Sequence, residues 1–364
     1  MISDQKNQPL KKSAVKNSNY NIDPKTIKGE IFGDLGKLHV WQLKTLEAIE
    51  EGKWQILACV GRRGGKTSFF LKCCIYLLLL NPGWRAQFAA PTLKMADEVI
   101  RGTTDDGEPM LGFIPEKYLA QKEGRKINEV WLVNNSSLHW DGVEIKRGKN
   151  IRGKGNNITL FDEYAFLEHA AEIYAAVVGS FRQKQKKYVF IASTPNGRSN
   201  DFYEKYLQAE KYPQFWHKAH ATIEDYMDKD DRELYIEQLR SQGLTEDDIQ
   251  RELYASFEAS GSGAILADLL RDIKPVPGLY KPDLPVHSGW DLGWTDKTVI
   301  WLFQQTGPKQ FNFIHSLQGC GKSMEEYSYI LSEWGNKYNY TYGQIGLPHD
   351  ADDHSGMVIE TRAA

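Results

Sequence analysis

The residues with the clearest chemistry form a glycine-rich segment, Gly61-Arg-Arg-Gly-Gly-Lys-Thr67. A nucleoside triphosphate requires backbone N–H groups around its phosphates, a lysine between the β- and γ-phosphates, and a hydroxyl on Mg²⁺. The residues that supply these groups are Gly61, Gly64, Gly65, Lys66 and Thr67. The usual pattern, G-x-x-x-x-G-K-[ST], has a glycine where this sequence has Val60. A plain glycine turn between a strand and a helix is therefore the alternative interpretation.

A second group of candidate residues lies about a hundred residues further along the chain, in Ile158-Thr-Leu-Phe-Asp-Glu163. This is an apolar run that ends in two acids. Such a strand end delivers one carboxylate to the Mg²⁺ shell and a second that orients and deprotonates the attacking water. We assign the first role to Asp162 and the second to Glu163. Apolar strands also end in Asp-Glu by chance, and the order of the two motifs favours the catalytic interpretation.

Two arginines, Arg62 and Arg63, lie inside the glycine-rich segment. An arginine over the γ-phosphate stabilises the charge that develops during phosphoryl transfer. The alternative is a structural arginine paired with a neighbouring acid. The sequence does not decide which of the two contacts phosphate.

The elements that must position these residues form an α/β pattern. Short apolar runs at 54–60, 85–90, 158–161 and 188–192 predict strands, and helical patterns lie between them. This alternation indicates a mostly parallel, covered sheet. Residues 129–145 instead read as strand, turn and strand, which predicts an antiparallel hairpin. Upstream, a helix is predicted with one apolar face formed by Val40, Leu43, Leu46 and Ile49.

A second α/β pattern follows a segment rich in Gly, Ser and Pro. Before this segment, Thr245 and Asp248 predict a capping box that opens a helix ending near Phe257. After it, strands are predicted at 287–292, 298–304, 310–316 and 342–347, and Ser323 begins a helix that reaches about Tyr338. The predicted parts are a flexible polar arm at 1–28, a first domain at 29–258, a linker at 259–285 and a second domain at 286–364.

Composition limits the classes of protein to which this chain can belong. It has 364 residues, 45 Lys and Arg against 48 Asp and Glu, and 41% hydrophobic residues. These values favour packed cores over disorder and exclude a diffusely basic nucleic-acid binder, although a groove can still be basic locally. No secretory signal or membrane-spanning run is visible, so we expect a cytoplasmic protein.

A further pair of acids, Asp291 and Asp350, follows two predicted strands of the second domain. Phosphodiester cleavage by two metal ions needs carboxylates that converge from different elements. We expect both side chains at the same sheet edge, where they would bind the metal ions of a nuclease. The nearby acids Asp296, Asp352 and Asp353 either assist or are solvated.

Taken together, these motifs resemble the large terminase subunit of tailed bacteriophages. The arginine-bearing loop at 61–67 and the acidic strand at 160–166 are similar to the family's ATP site. Ser193 and Thr194, after the next core strand, resemble its coupling motif, although Ser-Thr-Pro is also ordinary turn chemistry. Gln42 resembles the glutamine that binds adenine, with a solvated helix position as the alternative. Residues 289–293 and 347–351 resemble two acidic motifs of the family's ribonuclease-H-like nuclease.

The resemblance implies a fold and an activity. The fold is a P-loop NTPase of the ASCE type, with a mostly parallel sheet and flanking helices, followed by a partial ribonuclease-H-like domain. The activity is ATP-driven translocation of double-stranded DNA into a procapsid, with ATP and Mg²⁺ at the motor site and Mg²⁺ or Mn²⁺ at the nuclease site. Implied partners are DNA, the portal protein and procapsid, the small terminase subunit and a homo-oligomeric ring, all in the bacterial host cytoplasm and outside the mature virion.

Two alternatives to a packaging motor stay open. A helicase-like or remodelling ATPase would share the same core, and strand separation on a forked duplex would favour it. A non-catalytic remnant would keep the fold without turnover. For the DNA contact, the densest basic run is a candidate, with a solvated loop as the alternative. Its residues are Lys146, Arg147, Lys149, Arg152 and Lys154.

We predict that the nuclease is incomplete. The resemblance implies a further strand and a helix with a third acid after the second acidic motif, whereas only about 80 residues follow the linker. Glu360 is not assigned that third role. We therefore expect little cleavage of plasmid DNA in Mn²⁺, measured by nicking assays beside the Asp291→Ala variant. Robust cleavage that Asp291→Ala abolishes would contradict this prediction.

Overall fold

The computed structural model describes residues 23–104, 107–120, 128–143, 155–179, 187–259, 276–293, 298–319 and 321–348. The chain divides into two compact units, Met1–Ala267 and Asp268–Ala364. Each unit has its own sheet and its own hydrophobic core. The predicted residues that lie outside the described ranges are Lys146, Arg147, Lys149, Arg152, Lys154, Asp296, Asp350, Asp352, Asp353 and Glu360.

The described part of the first unit consists of helices around one sheet. Its helices are α1 (Pro24–Phe32), α2 (Val40–Glu50), α3 (Lys66–Leu80), α4 (Leu93–Arg101), α5 (Ala170–Gly179), α6 (Asp201–Lys211), α7 (Lys229–Ser241) and α8 (Glu246–Glu252). Its strands are β1 (Gln55–Val60), β2 (Arg85–Ala90), β3 (Glu129–Trp131), β4 (Ser137–Gly142), β5 (Ile158–Phe161), β6 (Tyr188–Ser193) and β7 (Trp216–Ala221).

The seven strands lie in the order β3-β4-β2-β5-β6-β1-β7. All neighbouring pairs are parallel except β3 and β4, which pair antiparallel. The predicted α/β fold, with a mostly parallel sheet and one antiparallel hairpin, is thus confirmed. Strand β6 lies between β1 and β5, so the carboxyl ends of all three meet at one edge of the sheet.

The central strands are buried on both faces, which explains their continuous apolar sequences. Every residue of β1, β5 and β6 is buried. Helix α3 covers them with aromatic and aliphatic side chains, and the Phe70 ring stacks on Phe190 of β6 at 5.3 Å between centroids. Of the helices in the described ranges, none is long and apolar enough to span a membrane.

The prediction that Val40 belongs to the apolar face of α2 is wrong. Val40 is 63% exposed, whereas Trp41, Gln42 and Thr45 are buried together with Leu46. The indole of Trp41 contacts the Phe69 ring edge-on at 5.2 Å. Burying a large aromatic ring removes more apolar surface from water than burying valine, so the helix is rotated toward Trp41.

The predicted flexible arm ends earlier than residue 28. Asp23 caps α1 by accepting a hydrogen bond from Thr26 N at 3.1 Å, and Ile27 and Ile31 are buried. Phe32 contacts the rings of Phe69 and Tyr76 on α3. Lys25 and Lys28 gave this segment the polar composition of the arm. Both lie on α1, whose apolar residues are packed.

The helix that the Thr245 capping box opens is shorter than predicted. The capping box is present, with Asp248 as its second member, but α8 ends at Glu252 and not near Phe257. In a continuing helix, the Glu252 carbonyl would accept from a residue four positions later. Here it accepts a hydrogen bond from Arg62 N at 2.6 Å, and Ala255 adopts a φ of 50°.

In its described residues, the second unit has a four-stranded sheet and one helix. Its elements are β8 (Val286–Asp291), β9 (Thr298–Gly307), β10 (Gln310–Gly319), α9 (Met324–Tyr338) and β11 (Tyr342–Gly346). The strand order is β10-β9-β8-β11, and β11 runs parallel to β8. Tyr327 and Leu331 of α9 pack on one face of the sheet with Trp290, Ile300 and Leu302. The four predicted strands and the helix capped by Ser323 are confirmed.

The core of the first unit yields a stability prediction. Phe190→Ala removes a fully buried ring between α3 and the sheet, so we expect the free energy of unfolding to fall by about 3–5 kcal/mol. Phe215→Ala is the matched control, because Phe215 is 51% exposed, and it should change stability little. Urea unfolding followed by fluorescence measures both. Equal losses in the two variants would contradict the packing described.

Candidate active site

The glycine-rich loop connects the end of β1 to the beginning of α3. Gly65 is the N-cap of α3 and has a φ of 71°, a left-handed conformation that glycine adopts without steric cost. Arg63 also has a left-handed φ, of 62°. The loop therefore leads into a helix N-terminus whose unpaired N–H groups and dipole favour an anion.

Neighbouring residues pack closely against the loop, which explains why two of its positions are glycine. A Cβ atom on Gly64 would lie 2.5 Å from Val60 Cγ1 and 3.0 Å from the ring of Tyr226. A Cβ atom on Gly61 would lie 2.2 Å from the carbonyl oxygen of Leu253. Val60, which replaces the first glycine of the usual pattern, is buried at the end of β1 and is part of this packing.

Lys66 is the first residue of α3 and is only 7% exposed. Its Nζ donates to the carbonyl oxygens of Val60, at 2.7 Å, and Gly61, at 3.2 Å. Burial lowers the pKa of Lys66, and the nearby carboxylates of Glu163 and Asp162 oppose that shift. An ammonium group has three donors, so the two carbonyls leave one for a phosphate oxygen.

A hydrogen bond joins the two motifs that the sequence predicts to act together. Thr67 Oγ1 donates to Asp162 Oδ1 at 2.9 Å, although the residues are 95 positions apart. Asp162 is 4% exposed. Burial, together with the neighbouring Glu163, raises the pKa of Asp162 to about 7, and the Thr67 hydrogen bond opposes both effects.

The chemistry of this pair fits Mg²⁺. A hydroxyl and a carboxylate are hard oxygen ligands, which Mg²⁺ prefers, and the ion is usually bound by one or two such groups together with substrate phosphates. A buried carboxylate also gains from a nearby cation, because burial alone disfavours its charged form. The structure therefore places suitable ligands, Thr67 and Asp162, beside the loop that would hold the phosphates.

Glu163 follows Asp162 in a left-handed conformation, with φ 49° and ψ 46°. Its carboxylate accepts a hydrogen bond from Ser193 Oγ at 3.4 Å, and the same oxygen of Ser193 accepts from Ala165 N at 3.1 Å. Ser193 is the last residue of β6, and Thr194 beside it is also buried. Ser193, one of the two predicted coupling residues, thus contacts the predicted catalytic acid.

Both arginines of the loop contact the segment that contains α7 and α8. Arg62 Nε forms an ion pair with Glu252 Oε2 at 2.8 Å. The Arg63 guanidinium lies 4.3 Å from the centre of the Tyr235 ring on α7. In addition, Tyr226 Oη donates to the Arg62 carbonyl oxygen at 2.7 Å. The structural alternative, an arginine paired with an acid, is therefore present for Arg62.

Gln42 borders the loop and is not solvated. It is 6% exposed, and its Oε1 accepts a hydrogen bond from His39 N at 3.0 Å. Its Nε2 lies 3.2 Å from the position of a Cβ atom on Gly65. The alternative of a solvated helix position is wrong, and the adenine contact stays a prediction.

In the second unit, Asp291 is exposed at the carboxyl end of β8. Strand β11 lies beside β8 and leads to Leu347 and Pro348, which line a cavity of about 590 Å³ together with Asp291. Trp301, Phe303 and Phe313 form its apolar wall. The strand that precedes Asp350 therefore ends beside Asp291, and Asp350 itself lies outside the described residues.

The sequence matches one protein family over more than half its length. Residues 57–271, which contain the loop, the acidic strand and the coupling turn, match the family model described as terminase large subunit, T4likevirus-type, N-terminal. This chain belongs to the terminase large-subunit family. A terminase large subunit of Thermus virus P23-45 is 22% identical over 161 residues, which are 42% of this chain and 33% of that protein. The chain thus spans about a third of that relative's length.

Two solved terminases are among the structures that this chain matches at low identity. The large terminase of a thermophilic bacteriophage in complex with ADP has a TM-score of 0.49 and 16% identity, covering 86% of this chain and 78% of that one. The large terminase ATPase domain of Thermus phage P74-26 has a TM-score of 0.48 and 22% identity, covering 65% of this chain and all of that one. The family assignment rests on the sequence match.

The raised pKa of Asp162 predicts how stability depends on pH in metal-free buffer. Between its ordinary pKa of 3.8 and about 7, folded terminase binds a proton that the unfolded chain has released. Stability therefore falls as pH rises through this window, and the loss is complete above it. We expect wild type to lose on the order of a few kcal/mol more than Asp162→Asn between pH 5 and pH 8.

Urea unfolding at several pH values measures this difference. Asp230→Asn is the control, because it removes an exposed carboxylate in the first turn of α7 and leaves the buried site intact. The same pH dependence in wild type and Asp162→Asn would contradict the burial of an ionisable Asp162.

Proposed function

We propose that the first unit is the ATPase of a DNA-packaging motor, which hydrolyses ATP to translocate double-stranded DNA into a procapsid. The observation that carries this proposal is the hydrogen bond between Thr67 and Asp162, next to the buried ammonium of Lys66. This hydrogen bond supports the proposal because hydrolysis of a nucleoside triphosphate needs the phosphate loop beside the acidic strand. Membership of the terminase family supports packaging as the use of that hydrolysis.

Nucleotide binding follows from the loop and the helix behind it. The backbone N–H groups of Gly64, Gly65 and Lys66 at the N-terminus of α3 bind phosphate oxygens, and Lys66 Nζ provides a positive charge between the β- and γ-phosphates. Gln42, held against Gly65, is the residue we assign to the adenine edge. Mg²⁺ bound by Thr67 and Asp162 would neutralise charge on the β- and γ-phosphates.

Hydrolysis needs a base near the γ-phosphate. Glu163 is half-buried beside Lys66 and Asp162, and it orients and deprotonates the attacking water. Arg62 or Arg63 then stabilises the charge that develops on the γ-phosphate. The side chain of Arg62 is largely exposed, although its partner Glu252 is mostly buried, and the Arg63 guanidinium lies over the Tyr235 ring, so either arginine can exchange its present contact for phosphate.

Motion requires that the nucleotide state change the affinity of some surface for DNA. Ser193 and Thr194 are the residues we assign to this coupling, because Ser193 contacts the Glu163 carboxylate directly. The partners of the motor are double-stranded DNA, a portal protein on the procapsid, a small terminase subunit and other copies of this chain in a ring. The second unit would contribute nuclease ligands, Asp291 and Asp350.

ATP hydrolysis by the purified protein tests the proposal. We expect Lys66→Ala and Glu163→Gln each to lower the rate about 100-fold or more, because one removes phosphate binding and the other the base. The matched controls are Lys72→Ala, on the same helix, and Glu168→Gln, an exposed acid five residues beyond Glu163. Both controls should keep the wild-type rate.

The outcomes separate a packaging motor from its alternatives. Stimulation of hydrolysis by double-stranded DNA, and packaging that depends on a portal-bearing procapsid, would support the motor. Strand separation on a forked duplex would favour a helicase-like ATPase. A folded wild-type protein that binds ATP and does not hydrolyse it, even with DNA and procapsids, would contradict the proposal and favour a non-catalytic remnant.

A further inference from the structure

Tyr164 follows the catalytic acid pair directly, and its phenol is fully buried. Its ring packs against Phe161 and Phe202, with centroids at 5.4 and 6.4 Å. Its Oη donates to Asp201 Oδ2 at 2.6 Å and lies 3.1 Å from the Ala170 carbonyl oxygen. Burial raises the pKa of Tyr164 well above its ordinary value, and Asp201 does so too, so the phenol stays a hydrogen-bond donor.

Asp201 is the first residue of α6, and its two carboxylate oxygens have different partners. Oδ2 accepts from Tyr164, and Oδ1 accepts from Lys205 Nζ at 3.3 Å, one helical turn further on. The side chains of Asp201 and Lys205 are each only 10% exposed. Because a buried charge is costly unless it is paired and hydrogen-bonded, the three side chains depend on one another.

Asp201 directly follows the segment that connects β6 to α6. Residues 194–200 connect the end of β6 to the beginning of α6. Ser193, just before this segment, bonds to Ala165 N and to the Glu163 carboxylate. Asp201, just after it, bonds to Tyr164. Both ends of the segment 194–200 are therefore tied to the turn that carries Glu163.

The turn itself needs such support. A left-handed backbone at a residue other than glycine costs on the order of 1–3 kcal/mol and persists only where the surroundings hold it. Glu163 has this conformation, and the two residues that follow it make the bonds to Ser193 and Asp201. A displacement of Glu163 is thus transmitted to both ends of the segment 194–200.

We propose that Tyr164, Asp201 and Lys205 are positioning residues of the hydrolytic site, which hold Glu163 in its turn and transmit its displacement to the segment 194–200 and α6. This inference rests on the proposed ATPase function and adds a second connection to the one through Ser193. The three residues act through the backbone of Glu163 and touch neither nucleotide nor water in the reaction.

The first test compares two buried tyrosines of the same core. Tyr164→Phe keeps the ring and removes the bond to Asp201. We expect the kcat of ATP hydrolysis to fall at least tenfold, with the Kd for ATPγS unchanged within about twofold, because the phosphate loop is intact. Tyr174→Phe is the control, since Tyr174 lies in the same cluster but bonds to Gln55, and its kcat should stay within twofold of wild type.

A second measurement reports on transmission and does not depend on turnover. Hydrogen–deuterium exchange is followed with and without ATPγS in peptides that cover residues 61–67 and 194–200. In wild type, nucleotide should alter exchange in both. In Tyr164→Phe, the response should persist at 61–67 and be lost at 194–200. The ion pair between Asp201 and Lys205 is tested in the same way. Lys205→Met should lose the exchange response at 194–200, and Lys205→Arg should keep it.

The outcomes are distinguishable from failure of the proposed function. If wild type neither binds nor hydrolyses ATP, the ATPase proposal fails, and the inference that rests on it fails with it. If wild type is active and a folded Tyr164→Phe matches Tyr174→Phe in kcat and in its exchange response, only the positioning role is overturned. If Tyr164→Phe does not fold, the same exchange response at 194–200 in Lys205→Met and Lys205→Arg overturns the positioning role.

Discussion

The structure of the first unit depends on keeping charged groups buried where its central strands end. Lys66 and Asp162 are almost completely covered, and Glu163 lies beside them. An unpaired charge in such a place would be costly, so each group needs a specific partner. The carbonyls of the loop, the hydroxyl of Thr67 and the opposite charges supply those partners. Their positions in turn require that β1, β6 and β5 be neighbours and parallel.

This constraint explains why the surroundings of the site are so closely packed. The loop lies so close to Val60, Tyr226 and Leu253 that a single added Cβ atom at Gly61 or Gly64 would collide with them. The left-handed Glu163 is held by the two residues after it. The side chains of Arg62 and Arg63 contact Glu252 and Tyr235. The proposed site therefore combines a closely packed loop with two arginines that contact the segment of α7 and α8.

Local sequence signals predicted much of this fold. The capping residues Thr245 and Ser323 begin helices where expected, because a cap depends only on neighbours three positions away. The central strands were recognisable because strands covered on both faces are apolar throughout. The meeting of Thr67 with Asp162 agrees with the sequence-based assignment of both residues to the same Mg²⁺ ion.

What the sequence did not predict depends on contacts between distant residues. The buried face of α2 is set by the Trp41 and Phe69 rings, and α8 ends early because its last carbonyl bonds to Arg62. Tyr226, Tyr235 and Glu252 lie in an acidic helical segment without a motif, so no local signal marked them as neighbours of the loop. Tyr164 was visible only as one aromatic residue after an acid pair.

The most direct test of this account is a crystal structure with bound ADP and Mg²⁺. We expect the β-phosphate to lie within hydrogen-bond distance of the N–H groups of Gly65 and Lys66 and of Lys66 Nζ, and the metal ion to lie beside Thr67 and Asp162. Nucleotide bound elsewhere, with the loop at 61–67 empty and Lys66 still on its two carbonyls, would contradict the assignment of this loop as the ATP site.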